Sequence, residues 1–174
     1  MEQLYSVWAL FEKEDEEYLS HIIRGFNQKY DTDFFLPHIT LFGNIAIDEA
    51  RAIEAIDTAR SGVSPIIAMS TGIAYSTDWA KTFYIQFEQN PQLSALSGSL
   101  NSSFSGQAEY AFDPHASLIY KTDMTEEQKL DELKKIKLKK DYRLNRVVLA
   151  TPLNQTEKWL DVASWRIRYE KALG

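Results

Sequence analysis

Hydrophobic positions along this chain follow two periods, and where one gives way to the other the elements can be read. Leu4 to Leu10 is a run of aromatic and apolar residues, the pattern of a strand. Between Glu14 and Lys29 the apolar positions Leu19, Ile22, Ile23 and Phe26 recur with Tyr18 at helical spacing. Leu36 to Ile45 is apolar and β-branched between flanking aspartates, a second strand. Asp48 to Arg60 sets Ala50, Ile53 and Ile56 on one helical face. Pro65 to Tyr75 and Lys81 to Glu88 read as strands, with Ser76-Thr77-Asp78 as a hairpin turn between them. In the latter strand Phe83, Ile85 and Phe87 alternate with Tyr84 and Gln86, which puts one face in a core. Pro91 to Phe104 opens with proline and places Leu93, Leu96 and Leu100 on a helical face. Ala111 to Tyr120 is a further strand. Thr125-Glu126-Glu127-Gln128 has the form of a capping box, with Met124 as a hydrophobic staple, so a helix starts there. Tyr142 to Leu153 and Trp159 to Tyr169 close the chain as two strands.

The resulting order is β-α-β-α-β-β-α-β-α-β-β. Its two halves each carry one copy of the same short sequence, which points to two related lobes rather than one doubly wound sheet. No low-complexity segment or linker interrupts it. The Ser/Asn/Gly-rich run from Ser97 to Ser105 is either a loop or a helix end beside the site.

Composition narrows the class. At 174 residues the chain suits one domain or two small lobes sharing a core. Hydrophobic content of 44% with 25% charged residues argues against disorder. Cysteine is absent, which excludes disulfides, thiolate nucleophiles and cysteine-based zinc or iron–sulfur sites, and fits a reducing compartment. The N-terminal residues show no basic stretch leading into an apolar run, and nothing approaches the ~20 apolar residues of a membrane span. A cytoplasmic protein with no membrane partner is the expectation. The net charge of −6 argues against a grip on long nucleic acid, which needs a basic footprint. The one dense basic run, Lys134 to Lys140, reads as a solvated helix end.

Chemistry concentrates at two of the 3 histidines. One lies in Pro37-His38-Ile39-Thr40-Leu41, the other in Pro114-His115-Ala116-Ser117-Leu118. Phe35 and Phe112 match as well, each two residues before its proline. Internal repetition of this kind reflects shared ancestry or shared chemistry. On a strand, residues i and i+2 share a face, so His38 points with Thr40 and His115 with Ser117. If the two strands face one cleft, the site holds two imidazoles and two hydroxyls. An imidazole with an ordinary pKa of ~6.5 serves as acid or base near neutral pH. Two of them suit hydrolysis of a phosphodiester, one taking a proton from water and the other protonating the departing oxygen. The hydroxyls donate to the non-bridging phosphate oxygens, where preorganised donors matter most. A strained cyclic phosphate needs no metal for this, and no cofactor is implied.

At these residues the chain resembles the two-histidine phosphoesterase superfamily, and within it the plant- and yeast-type cyclic nucleotide phosphodiesterases. Tyr5 to Leu10 is similar to that family's opening strand. Leu118-Ile119-Tyr120 followed by Met124 to Glu127 is similar to the stretch after its second motif. Tyr142 to Arg146 and the segment around Trp159 to Trp165 are similar to its C-terminal strands. The resemblance spans nearly the whole chain and is weakest between Gly62 and Gly106. It implies an α+β fold over residues 1–174, bilobal, with two pseudo-symmetric α/β lobes whose antiparallel sheets flank a central cleft. It also implies a small cyclic phosphate nucleotide as the partner; a monomer is the expectation for the chain itself. The substrates the resemblance implies are ADP-ribose 1″,2″-cyclic phosphate, or nucleoside 2′,3′-cyclic phosphates opened to 2′-phosphates. By position Trp8 and Tyr120 become substrate-binding residues. Strand parity puts Tyr120 on the face opposite Ser117, so its contact requires a bulge or the strand's end.

Blander roles compete. His21, without a motif, reads as a packed core histidine. Trp8 is read equally well as core, and Trp79, Trp159 and Trp165 as core or lobe packing. Arg143 and Arg146 read as surface residues. A metal site at the histidines lacks carboxylate partners: Asp113 precedes Pro114, but Leu36 holds the matching place at the first motif. No Gly-x-Ser-x-Gly elbow or phosphate-binding glycine loop occurs. Two other functions fit the same cleft. One is an RNA-end enzyme, a 2′–5′ RNA ligase or RNA 2′,3′-cyclic phosphodiesterase. The other is a nucleotide-binding module without turnover.

Overall fold

In a computed structural model, residues 3–120, 123–153 and 161–174 are described. The elements run β1 (Leu4–Phe11), α1 (Lys13–Tyr30), β2 (His38–Ala46), α2 (Glu49–Arg60), β3 (Ile66–Tyr75), β4 (Phe83–Phe87), α3 (Pro91–Ser103), β5 (His115–Ile119), α4 (Glu126–Leu133), β6 (Asp141–Pro152) and β7 (Trp165–Ala172). Several boundaries have a local cause. Asp48 caps α2 by accepting from the Arg51 amide. Asn90 accepts from the amides of Gln92 and Leu93 and α3 begins on Pro91. Thr125 and Gln128 complete the capping box of α4, and Met124 is buried beside it. β2 and β5 both begin directly after a proline, which has no amide to donate to a ladder.

All pairings are antiparallel, in the order β2-β1-β6-β3-β4-β5, with β7 added to β6. The order is a palindrome of the repeat: β1-α1-β2-α2-β3 and β4-α3-β5-α4-β6 are two copies of one unit. β6 and β3 meet at the centre, and β2 and β5 form the outer edges. β3 pairs with β6 from Ile66 to Met69 and with β4 from Ser70 to Tyr75, so one strand passes between the two halves. The irregularity where it changes partner contains Gly72, whose φ of 138° is open to glycine alone. The helices are exchanged: α1 follows β1 but packs on β5, and α3 follows β4 but packs on β2. A single apolar cluster runs through both halves. A smaller one, Trp8, Leu10, Val148 and Ala150 with Leu36 and Trp165, lies on the other face of β1.

The fold expected from the sequence is therefore found, with local differences. β5 starts at His115 rather than Ala111. The β3–β4 connection is longer than a tight turn and holds a 3₁₀ turn at Trp79–Lys81. β7 starts at Trp165, after a 3₁₀ turn at Val162–Ser164. The expected strand residues Trp159 and Leu160 lie outside the described residues. The basic run is not a helix end: α4 stops at Leu133, and most of the run follows as irregular chain. There Lys139 bonds to Glu14 and Asp15 of α1 and Lys135 pairs with Glu132. Among the described residues no helix is long and apolar enough to cross a membrane.

Candidate active site

The edge strands β2 and β5 come together, and the cleft between the halves has a volume of about 330 Å³. Both repeated motifs open into it: His38, Thr40, His115 and Ser117 all line its wall. Each histidine is the first residue of its strand and is held the same way. The ring of His38 bonds through Nδ1 to the Leu36 carbonyl at 2.7 Å, and His115 bonds through Nδ1 to the Asp113 carbonyl at 2.8 Å. A carbonyl only accepts, so Nδ1 carries the proton and Nε2 is the nitrogen left to work in each ring.

The environments of the two rings differ. His38 stacks on Trp8, with centroids 3.9 Å apart and planes 13° from parallel. Trp8 in turn meets Trp165 at 5.3 Å. Burial against these rings pushes the His38 imidazolium down to about 4, and the neighbouring charge of His115 pushes the same way. The residue as a whole is half-buried and lines the cleft. His115 meets Tyr84 edge-on at 5.5 Å. Burial lowers its pKa too, with Lys81 adding to the drop, while the Asp113 carbonyl and the carboxylates of Asp113 and Asp78 oppose it.

The hydroxyls divide similarly. Thr40 lies across from Trp8 in the β1–β2 register and Ser117 across from Tyr84 in the β4–β5 register. Ser117 donates to the Ala80 carbonyl at 2.9 Å and pairs with the hydroxyl of Tyr120. Strand β5 ends at Ile119, which frees Tyr120 from strand parity and lets it turn back to Ser117. Burial pushes the phenols of Tyr120 and Tyr110 up to about 12, so both remain donors at any working pH.

The six site residues named from sequence thus line one cleft. Trp8 serves both expected purposes, as apolar floor and as the surface beneath His38. Two tryptophans assigned to packing lie in the cleft instead. Trp79 stacks on Tyr120 with centroids 4.8 Å apart, and Trp165 stands beside Trp8. A large aromatic inside the polar segment Ser76 to Lys81 was the available signal for Trp79. Sequence reasoning also missed Lys81 and Gln86. Lys81 lines the cleft and forms an ion pair with Asp113, which also accepts from Gln86. His21 is exposed on α1 rather than packed in the core. Arg143 and Arg146 pair with Glu12 and Glu16 and do not line the cleft. Among the described residues no group of three His, Cys, Asp or Glu side chains converges as metal ligands.

The chain and its fold have relatives. The family model of the 2′-5′ RNA ligase superfamily matches residues 15–155. A cyclic phosphodiesterase of Arabidopsis thaliana is 23% identical over 169 residues, covering 92% of this chain and 93% of that protein. Among solved structures, Escherichia coli LigT in complex with 3′-AMP superposes with a TM-score of 0.63 at 13% identity, covering 99% of each chain. TT0787 of Thermus thermophilus gives a TM-score of 0.63 at 10% identity, covering 98% of this chain and 97% of that one.

Proposed function

The chain belongs to the 2′-5′ RNA ligase superfamily, and from that premise we propose that it is a metal-independent enzyme hydrolysing small cyclic phosphodiesters, with His38 and His115 as its catalytic groups. The observation that carries this reading is the matched pair of imidazoles, each held through Nδ1 by a backbone carbonyl and each left with Nε2 for a cleft they share. One ring removes a proton from water as the water oxygen attacks phosphorus. The other protonates the ribose oxygen as its bond to phosphorus breaks. The substrates are nucleoside 2′,3′-cyclic phosphates, opened to 2′-phosphates, and ADP-ribose 1″,2″-cyclic phosphate.

Thr40 and Ser117 bind the non-bridging oxygens. Ser117 gives up its bond to the Ala80 carbonyl to do so, exchanging one hydrogen bond of about 1 kcal/mol for a stronger one to an anion. Tyr120, Trp8, Trp79 and Trp165 supply flat surfaces for a base or ribose. A small substrate is favoured over an RNA chain because, among the described residues, the cleft carries one lysine against two aspartates, Asp78 and Asp113, and shows no basic track for a backbone.

The test is turnover of a nucleoside 2′,3′-cyclic phosphate with and without EDTA, beside His38→Ala and His115→Ala. The expected result is hydrolysis that resists EDTA and falls at least ~10²-fold in each variant. Binding without turnover would favour a nucleotide-binding module. A rate that demands a long RNA would favour an RNA-end enzyme.

A further inference from the structure

The two motifs repeat, but what stands beside them does not. In register, Leu10 of β1 lies across from His38, and Gln86 of β4 lies across from His115. Two residues before each histidine stand Leu36 and Asp113. The equivalent neighbours are therefore two leucines at one ring and a glutamine with an aspartate at the other. Leu10 and Leu36 belong to the apolar cluster around Trp8. Gln86 Nε2 donates to Asp113 Oδ1 at 2.9 Å and to the Pro114 carbonyl at 2.9 Å, which fixes the carboxylate and the Asp113–Pro114 turn together. Asp113 Oδ2 lies 3.9 Å from His115 Nδ1 and also holds Lys81.

We propose that Asp113 and Gln86 are positioning residues that break the symmetry of the cleft. They hold His115 as the imidazolium that protonates the departing oxygen and leave His38 as the neutral base. The proposal rests on the phosphodiesterase reading given above. Among the described residues, the charged groups acting on His115 are Asp113 and Lys81, which pair with each other, and Asp78 from the connection before β4; Tyr84 faces it edge-on. The Asp113 carbonyl and the carboxylates of Asp113 and Asp78 favour a cation there and oppose burial and Lys81, which disfavour it. His38 meets the opposite situation. It stacks on Trp8, and the charge acting on it is that of His115, which disfavours a second proton. Lys81, with its ammonium 5.6 Å from the centroid of the Tyr84 ring, keeps the Asp113 carboxylate ionised.

In the reaction so assigned, the water oxygen bonds to phosphorus and one of its protons passes to His38 Nε2. The bond from phosphorus to the departing ribose oxygen breaks, and that oxygen takes the proton from His115 Nε2. The second water proton stays on the new phosphate hydroxyl. The cycle resets when His38 returns its proton to solvent and His115 takes one up.

The experiment is an NMR titration of both imidazoles in the wild type, Asp113→Asn and Gln86→Leu, run beside kcat/KM against pH. In the wild type His115 should protonate at a higher pH than His38. In Asp113→Asn its midpoint should fall by about 0.5–1 pH unit, as expected on losing a carboxylate within a few ångströms that is partly screened by Lys81. The basic limb of kcat/KM should follow, with His38 and the acid limb unmoved. Gln86→Leu, which makes this side resemble the Leu10 side, should give a smaller shift of the same sign and decides the matter alone if Asp113→Asn does not fold. Equal or inverted midpoints, an unmoved His115, or movement of the acid limb would overturn the proposal. A wild type that titrates as expected yet opens no cyclic phosphate would overturn the catalytic roles together with the enzyme reading, while the imidazole charges would stand.

Discussion

Lowering the pH tests the buried face of the site most directly. A free imidazole with a pKa of ~6.5 is only ~3% neutral at pH 5. Burial against Trp8 holds His38 down to about 4, and a group at ~4 is still ~90% neutral at pH 5. If His38 is the base, kcat/KM at pH 5 exceeds the free-imidazole expectation about 30-fold. His115 sits below the ordinary value by burial, so the basic limb falls below 6.5 and the optimum lies between the two limbs, on the acid side of neutrality. Stability shares the cause and carries a definite sign. Between pH 6.5 and about 4 the unfolded chain binds a proton at His38 and the folded chain does not. Stability therefore rises with pH across that window and is lost as pH falls through it, by about 2–3 kcal/mol once the half-buried position of the residue is allowed for. The assay is kcat/KM from pH 4 to 8 against a nucleoside 2′,3′-cyclic phosphate, with far-UV circular dichroism at each pH. An acid limb with its midpoint near pH 6 while the protein remains folded would mean that burial against Trp8 does not keep His38 neutral.

Two further outcomes follow from packing. Trp8→Phe keeps an aromatic beneath His38 and should retain most activity, whereas Trp8→Ala should cost ~3–5 kcal/mol in urea denaturation and move the acid limb of kcat/KM upward as water reaches the ring. Thr125→Ala removes one half of the capping box of α4 and should cost ~1 kcal/mol in the same denaturation assay, with the wild-type pH profile retained.

What the sequence made legible was the part of the site that repeats. Spacing of i and i+2 put His38 with Thr40 and His115 with Ser117, and the capping box located α4 because those signals lie within a few residues. A proline stands directly before each histidine at its strand start, although the second strand proved shorter than its apolar pattern. The exchange of α1 and α3 between halves left no local trace, because a helix carries the same apolar stripe whichever sheet it covers. His21 was misplaced for a related reason: it lies on a real helix, but burial depends on which face meets a neighbour. Tyr120 escaped the parity argument because β5 ended one residue earlier.

The asymmetry of the cleft was the least legible feature, and its cause is specific. Gln86 reads as the polar face of an alternating strand, and Asp113 as a residue before proline. Only the pairing of β4 with β5 sets one across from His115 and lets it hold the other. Register between segments far apart in the chain is fixed by the whole sheet, so no short motif records it. Two copies of one unit would give two equivalent imidazoles, and equivalent groups would share the proton without direction. Acid–base catalysis of the opening step needs one ring charged and the other neutral. On the proposed reading, the departure from symmetry at Leu10 and Gln86, and at Leu36 and Asp113, is where a duplicated fold acquires two different catalytic ends.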